Sequence, residues 1–187
     1  MEVILASRSP RRLQLLQAAG LAVEVRPSHV DETPIEGESV TGLVERLAHA
    51  KAHACSAEYQ PVIAADTLVE LDGQPLGQPA DLNEAAKMLL ALSGKWHRVL
   101  TGVCVRLGDR CLHEIASTRV HFRALSRHEI DTYLIHNEVL DKAGAYAIQQ
   151  GGASFIDGLE GPLDNVIGLP TACTLRLLRK IGPGESP

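Results

Sequence analysis

Apolar residues recur along this chain in two rhythms, and the alternation between them predicts its elements. Val3-Ile4-Leu5-Ala6 is an unbroken apolar run, the pattern of a strand buried on both faces. After six polar residues, Leu13, Leu15, Leu16 and Ala19 follow at helical spacing. Pro10 suits the first helical position because its φ is already helical and its missing N–H would have no partner there. Ser9 is then the N-cap. Gly20 ends the helix, and residues 22–25 read as a second strand. Val40, Leu43, Val44, Leu47, Ala48 and Ala54 predict a long helix over 39–58. Val62-Ile63-Ala64-Ala65 reads as a buried strand ending at Asp66-Thr67, followed by a hairpin about Asp72-Gly73. Asp81 caps a helix to residue 92, and two long strands, 96–107 and 111–122, meet at Gly108-Asp109. Ser126 with Glu129 forms a capping box for a helix to residue 136. Residues 141–168 are dense in glycine and suit a cleft wall, and a last helix covers 171–180. Strands alternating with helices, plus long sequential strands in the middle, predict an α/β fold with a mixed sheet flanked by helices. One domain is expected over 1–181, with 182–187 a disordered tail.

Composition narrows the function classes. A hydrophobic fraction of 45% with 22% charged residues is that of a soluble globular chain, and 3% aromatics leaves the core to Leu, Val, Ile and Ala. The net charge of −5 argues against nucleic acid as a partner. No run is long enough for a membrane span. Cys55, Cys104, Cys111 and Cys173 have no C-x-x-C spacing and read as buried or incidental thiols in a reducing compartment. The N-terminus lacks the pattern of a signal peptide, so the expected location is cytoplasmic.

The front arginines are a local basic feature on an acidic chain. Ser7-Arg8-Ser9-Pro10-Arg11-Arg12 joins the first strand to the first helix. Unpaired N–H groups and the positive end of the helix dipole, with Arg8, Arg11 and Arg12, make a site for an anion, most simply phosphate. The bland reading is a capped helix with solvated arginines. Asp66 ends an apolar strand, where it is either a rigidly held functional carboxylate or a turn-forming residue. Asp31 and Glu32 lie in the 27–34 loop, as solvated charges or as ligands for metal or water. His49 and His53 stand four apart on the long helix but lack the H-E-x-x-H glutamate, so a polar face is expected there.

Taken together, Ser7 to Arg12, Arg46-Leu47-Ala48 with Lys51-Ala52, Ala65-Asp66-Thr67, the run from Asp141 to Gln149 and Val166-Ile167-Gly168-Leu169-Pro170 closely resemble the Maf family of nucleoside triphosphate pyrophosphatases. The resemblance implies two lobes around a cleft in an inosine triphosphatase-like fold, and a homodimer. It implies the catalytic residues Asp66, Glu32, Lys51 and Arg12, with Asp66 as the base that activates water. Ser7, Arg11, Thr67 and Gln149 would bind substrate, and Asp66 and Glu32 would hold Mg²⁺ or Mn²⁺. At Arg11, Thr67 and Gln149 the chain resembles the branch that prefers dTTP and UTP. The implied reaction is metal-assisted attack of water on the α-phosphorus, giving monophosphate and pyrophosphate; a rival enzymatic reading is a house-cleaning pyrophosphatase for modified nucleotides, pyrimidine ones included, with broad base tolerance. The alternative is a nucleotide-binding regulator of septum formation with little turnover. Gln78 departs from the family, which commonly has lysine in the triplet that is Gly77-Gln78-Pro79 here, and Gln78 is expected at the cleft.

Overall fold

The computed structural model describes residues 1–57 and 59–182. The expected tail lies outside these residues from position 183 onward. Seven strands and six helices are described: β1 (Glu2–Leu5), α1 (Pro10–Ala18), β2 (Ala22–Val25), α2 (Val40–Ala54), β3 (Val62–Leu71), β4 (Gln74–Leu76), α3 (Leu82–Leu92), β5 (Trp96–Leu107), β6 (Arg110–Phe122), α4 (Arg127–His136), β7 (Ile156–Glu160), α5 (Leu163–Ile167) and α6 (Thr171–Ile181). The strands run in the order β2-β1-β3-β5-β6-β7, with β4 pairing β3. The sheet is mixed. β1 pairs parallel with β2 and β3, whereas β3–β4 and β6–β7 are antiparallel. This is the α/β class that the alternating pattern predicts.

The chain forms two compact units. The first comprises Met1–Thr67, Thr101–Ala116 and the segment from Gly168 on; the second comprises Leu68–Leu100 and Ser117–Ile167. The first unit is a sheet buried on both sides. Successive strand residues point to opposite faces, so Val3 and Leu5, Ile63 and Ala65, Val103 and Val105 pack on one side with Leu16 of α1 and Cys173, Leu177, Leu178 and Ile181 of α6. Ile4, Ala6, Val62, Ala64 and Cys104 face the other side, against Ala48 and Ala52 of α2. This explains the unbroken apolar runs of β1 and early β3. The second unit has its own core, in which Leu89 and Leu92 of α3, Ile130 and Tyr133 of α4, and Phe122, Tyr146 and Phe155 pack together.

Two expectations about element ends change. The long helix stops at Ala54, because Cys55 turns extended at φ −88°, ψ 117°. Arg106 terminates it from the neighbouring strand, with Nε donating to Ala52 O at 3.0 Å and Nη2 to Cys55 O at 2.6 Å. These bonds satisfy carbonyls that a helix end leaves unpaired. The second change is in β3, which does not stop at Asp66-Thr67 but runs on to Leu71. It exchanges its partner instead. Parallel pairing with β1 ends at Leu5↔Ile63, and antiparallel pairing with β4 begins at Val69↔Leu76. Asp66 therefore lies within a continuous strand, at the point where its neighbour β1 has ended. The predicted Asp72-Gly73 turn is present, with φ values of 51° and 81° at its two central residues. β7 and α5 emerge from the glycine-dense segment, where the sequence pattern gave no separate elements. Between α4 and β7 that segment forms three short 3₁₀ turns.

Candidate active site

The parity of β3 distributes its polar residues. Asp66 shares the face of Val62 and Ala64, toward α2; Thr67 shares the face of Ile63 and Ala65, toward α1 and α6. On the α2 side, Lys51 Nζ donates to Asp66 Oδ1 at 2.6 Å and lies 2.9 Å from Glu32 Oε1. Asp66 is 7% exposed, so its strand and its ion pair both fix it. Glu32 is the exposed member, on the loop between β2 and α2. That loop is held to α2 by Arg46, which donates to both carboxylate oxygens of Glu38, at 2.7 and 2.8 Å, and to Thr33 O at 3.1 Å. Its neighbour Asp31 accepts from Thr33 N at 2.9 Å, and hydrogen bonds from the Thr33 side chain and then from its backbone hold the carboxyl below the usual range. The two adjacent acids are thus separated in role: Asp31 shapes the loop, and Glu32 reaches the lysine.

On the other face, the helix start forms as predicted. Pro10 opens α1 and Ser9 caps it, accepting from Arg12 N at 3.4 Å. Ser7 Oγ accepts from Ser9 N and from Arg12 Nη1, each at 3.2 Å. Arg12 also donates from Nη1 to Ala65 O at 2.7 Å, from Nη2 to Thr67 Oγ1 at 3.0 Å and from Nε to Gly168 O at 2.9 Å. Four of the five guanidinium donors are therefore engaged with protein oxygens. Burial lowers the Arg12 pKa most; Asp66 opposes that, Arg11 adds to it and Glu32 opposes it.

Thr67 Oγ1 lies 3.0 Å from Thr101 Oγ1 and donates to Gly168 O at 3.3 Å, besides accepting from Arg12. A hydroxyl has one hydrogen and two acceptor sites, so these partners saturate it. Thr101 is fully buried and escaped the sequence reading; its signal was a hydroxyl inside the otherwise apolar run from Val99 to Val105. The six residues Ser7, Arg12, Glu32, Lys51, Asp66 and Thr67 all fall in the first unit, as does Arg11 at the start of α1. Gln149 falls in the second, exposed on the 3₁₀ turn Ile148–Gln150, beside the bond from Ala147 N to Tyr133 Oη at 3.1 Å. Gln78, in that same unit, donates from Nε2 to Asp141 O at 3.3 Å.

Asp66 and Glu32 bring oxygen donors to a single cation, Lys51. An all-oxygen donor set of this kind fits a hard divalent cation such as Mg²⁺ or Mn²⁺.

The family model for Maf-like protein matches residues 2–181. The chain belongs to the Maf family. Among curated relatives, the dTTP/UTP pyrophosphatase of Anaeromyxobacter sp. is 48% identical, covering 99% of this chain and 93% of its own. That of Pelotomaculum thermopropionicum is 46% identical, covering 97% of each. The Myxococcus xanthus protein of the same name is 45% identical, over 96% of this chain and 92% of its own. Among solved structures, the Ham1 protein of Staphylococcus aureus covers 81% of this Maf chain and 90% of its own at 17% identity and a TM-score of 0.47. A HAM1 protein from Coxiella burnetii covers 65% and 73% at 18% identity and a TM-score of 0.44.

Proposed function

We propose that this Maf protein hydrolyses dTTP and UTP to the monophosphate and pyrophosphate, with Asp66 as the base. The observation that carries the reading is the buried Asp66 carboxylate, fixed on β3 and paired with Lys51, which also reaches Glu32. The full-length likeness to dTTP/UTP pyrophosphatases supplies the substrate class. In this reading Asp66 accepts a proton from the attacking water. The new bond forms at the α-phosphorus, the bond to the oxygen bridging α and β breaks, and the electron pair leaves on pyrophosphate. Arg11 and Lys51 stabilise that developing charge. Arg12, with most of its donors engaged, positions Ser7 and Thr67 and adds positive potential. Asp66 and Glu32 would hold a divalent cation, which withdraws charge from phosphate oxygens when bound. Gln149 would read the donor–acceptor edge of uracil or thymine through its amide.

The test is a panel of nucleoside triphosphates with Mg²⁺ or Mn²⁺, resolved by chromatography. Monophosphate plus pyrophosphate, fastest from dTTP and UTP, is the expected result. Diphosphate plus orthophosphate refutes attack at the α-phosphorus. Tight binding without turnover favours a regulator.

A further inference from the structure

Away from Asp66, the first unit gathers a second set of ligating side chains. His49 on α2 faces Cys104 of β5 and Cys111 of β6, with Nδ1 lying 3.9 Å from Cys104 Sγ and 3.5 Å from Cys111 Sγ. The three donor atoms lie within 4.8 Å of one another. Tetrahedral zinc, with Zn–S of about 2.3 Å and Zn–N of about 2.0–2.1 Å, requires S···N separations of roughly 3.6 Å. The observed pair brackets that value. His113 follows Cys111 by two residues, so both project from one face of β6. Its ring lies 4.7 Å from that of His49, centroid to centroid. Glu45, one helical turn before His49, meets His113 Nε2 at 2.8 Å. A carboxylate on one imidazole nitrogen is the arrangement that orients histidine ligands in metal sites.

The geometry points to a structural site for a soft divalent cation, zinc by its chemistry, held by His49, Cys104 and Cys111, with His113 as the fourth ligand and Glu45 orienting it. The thiolates and imidazoles distinguish this site from the oxygen donors Asp66 and Glu32, which suit hard cations. Cys104 is buried, His49 and Cys111 are half-buried, and His113 is exposed, which gives the ion a way in. Each thiol releases its proton to solvent as it binds. The pairing of His49 with two strand cysteines replaces the sequence expectation of a polar His49–His53 face. His53 keeps to that expectation; it is exposed and stacks on His49, at 6.3 Å between ring centroids. A bound ion would clip α2, the helix that carries Lys51, to β5 and β6 of its own unit.

The full chain, kept reduced with a phosphine and stripped with a chelator, is titrated with Co²⁺ and then with Zn²⁺. The expected result is saturation at one thiolate-bound cobalt per chain, seen as sulfur-to-cobalt charge-transfer absorption with strong tetrahedral visible bands. Zinc then abolishes both. Cys111→Ser and His113→Gln, which spare the fully buried Cys104, should each weaken cobalt binding by more than about tenfold. Cys173→Ser should leave the spectrum unchanged. Absence of the charge-transfer band in the unmutated chain overturns the proposal, as does a Cys111→Ser variant that binds cobalt with unchanged affinity and an undiminished band, since Cys104 alone should give a weaker one. Cobalt bound by Asp66 and Glu32 alone carries no sulfur band, so failure here is separable from failure of the pyrophosphatase reading.

Discussion

Asp66→Asn is the most informative single change, because it keeps the shape of the side chain while removing its charge and its basicity. General-base catalysis contributes typically about 10²–10⁴-fold, so pyrophosphate release should fall by at least about 100-fold. The stability cost follows from the ion pair. Asp66 and Lys51 have side chains only 9% and 12% exposed and are 2.6 Å apart. A hydrogen bond to a charged group is worth roughly 1.5–3 kcal/mol. Lys51 keeps Glu32 at 2.9 Å, so its ammonium is not left without a carboxylate, and the loss should stay within that range. For a chain of this size, about 2–4 °C of Tm per kcal/mol gives a drop of roughly 3–12 °C. The variant should therefore fold at room temperature, bind nucleotide by calorimetry and fail in turnover. A folded Asp66→Asn that keeps more than about a tenth of the rate would remove Asp66 from the role of base. A loss of binding equal to the loss of rate would make it a structural or binding residue instead.

Glu32→Gln provides the contrast. Its side chain is 57% exposed, exposed ion pairs contribute about 0–1 kcal/mol, and so Tm should barely move while turnover drops at least tenfold in a Mg²⁺ or Mn²⁺ assay. Gly102→Ala should destabilise without touching any catalytic group, since an added Cβ would lie 2.4 Å from Val44 O of α2; a loss of about 1–3 kcal/mol, read by denaturant melts, is expected. His97 predicts an acid effect: burial lowers its pKa to about 4, and Nε2 bonds Tyr146 Oη at 2.9 Å. The folded state resists protonation that the unfolded state accepts near pH 6.5, so stability is full above that pH and falls as pH drops toward 4. Melting curves of the wild type against His97→Gln across pH 4–7 should converge or cross in that window, and a pH-independent difference would refute the assignment. Removing divalent cations with a chelator should abolish turnover of dTTP and weaken its binding by calorimetry, and undiminished hydrolysis would exclude Asp66 and Glu32 as holders of a required ion.

Much of this was legible in the sequence because local chemistry and tertiary demand agree there. The Ser9 cap, Pro10 start, Ser126 capping box and Asp72-Gly73 turn each follow from one or two residues and form as read. Where the outcome depended on a distant partner, the sequence was silent. Nothing near Cys55 announces that Arg106, 51 residues on, takes the carbonyls at the end of α2. Nor does the run after Asp66 reveal that β3 continues by exchanging β1 for β4. For the candidate site, the motifs supplied residue names but not their assignments. The motifs have Arg12 and Thr67 present themselves to a ligand. The structure gives them to each other, and to Ser7, Ala65 and Gly168. The cluster of His49 with Cys104 and Cys111 was invisible for the same reason, since its members lie on three elements.

The balance of charge around Asp66 bears on what such a site can accept. Asp66 and Glu32 contribute two negative charges, and Lys51, Arg11 and Arg12 contribute three positive ones, of which Arg12 is mostly committed to protein oxygens. A nucleoside triphosphate brings several negative charges toward a buried carboxylate. At an effective dielectric near 20, each like-charge pair at about 4 Å costs on the order of 4 kcal/mol. Lys51, Arg11 and Arg12 act against that cost, because each attracts the same phosphate charges. In the proposed reading, a divalent cation arriving with the polyanion would lower that repulsion further, with the two carboxylates as its ligands. The same reasoning explains why the lysine bridges them. Lys51 lies 2.6 Å from Asp66 and 2.9 Å from Glu32, two carboxylates that would otherwise repel.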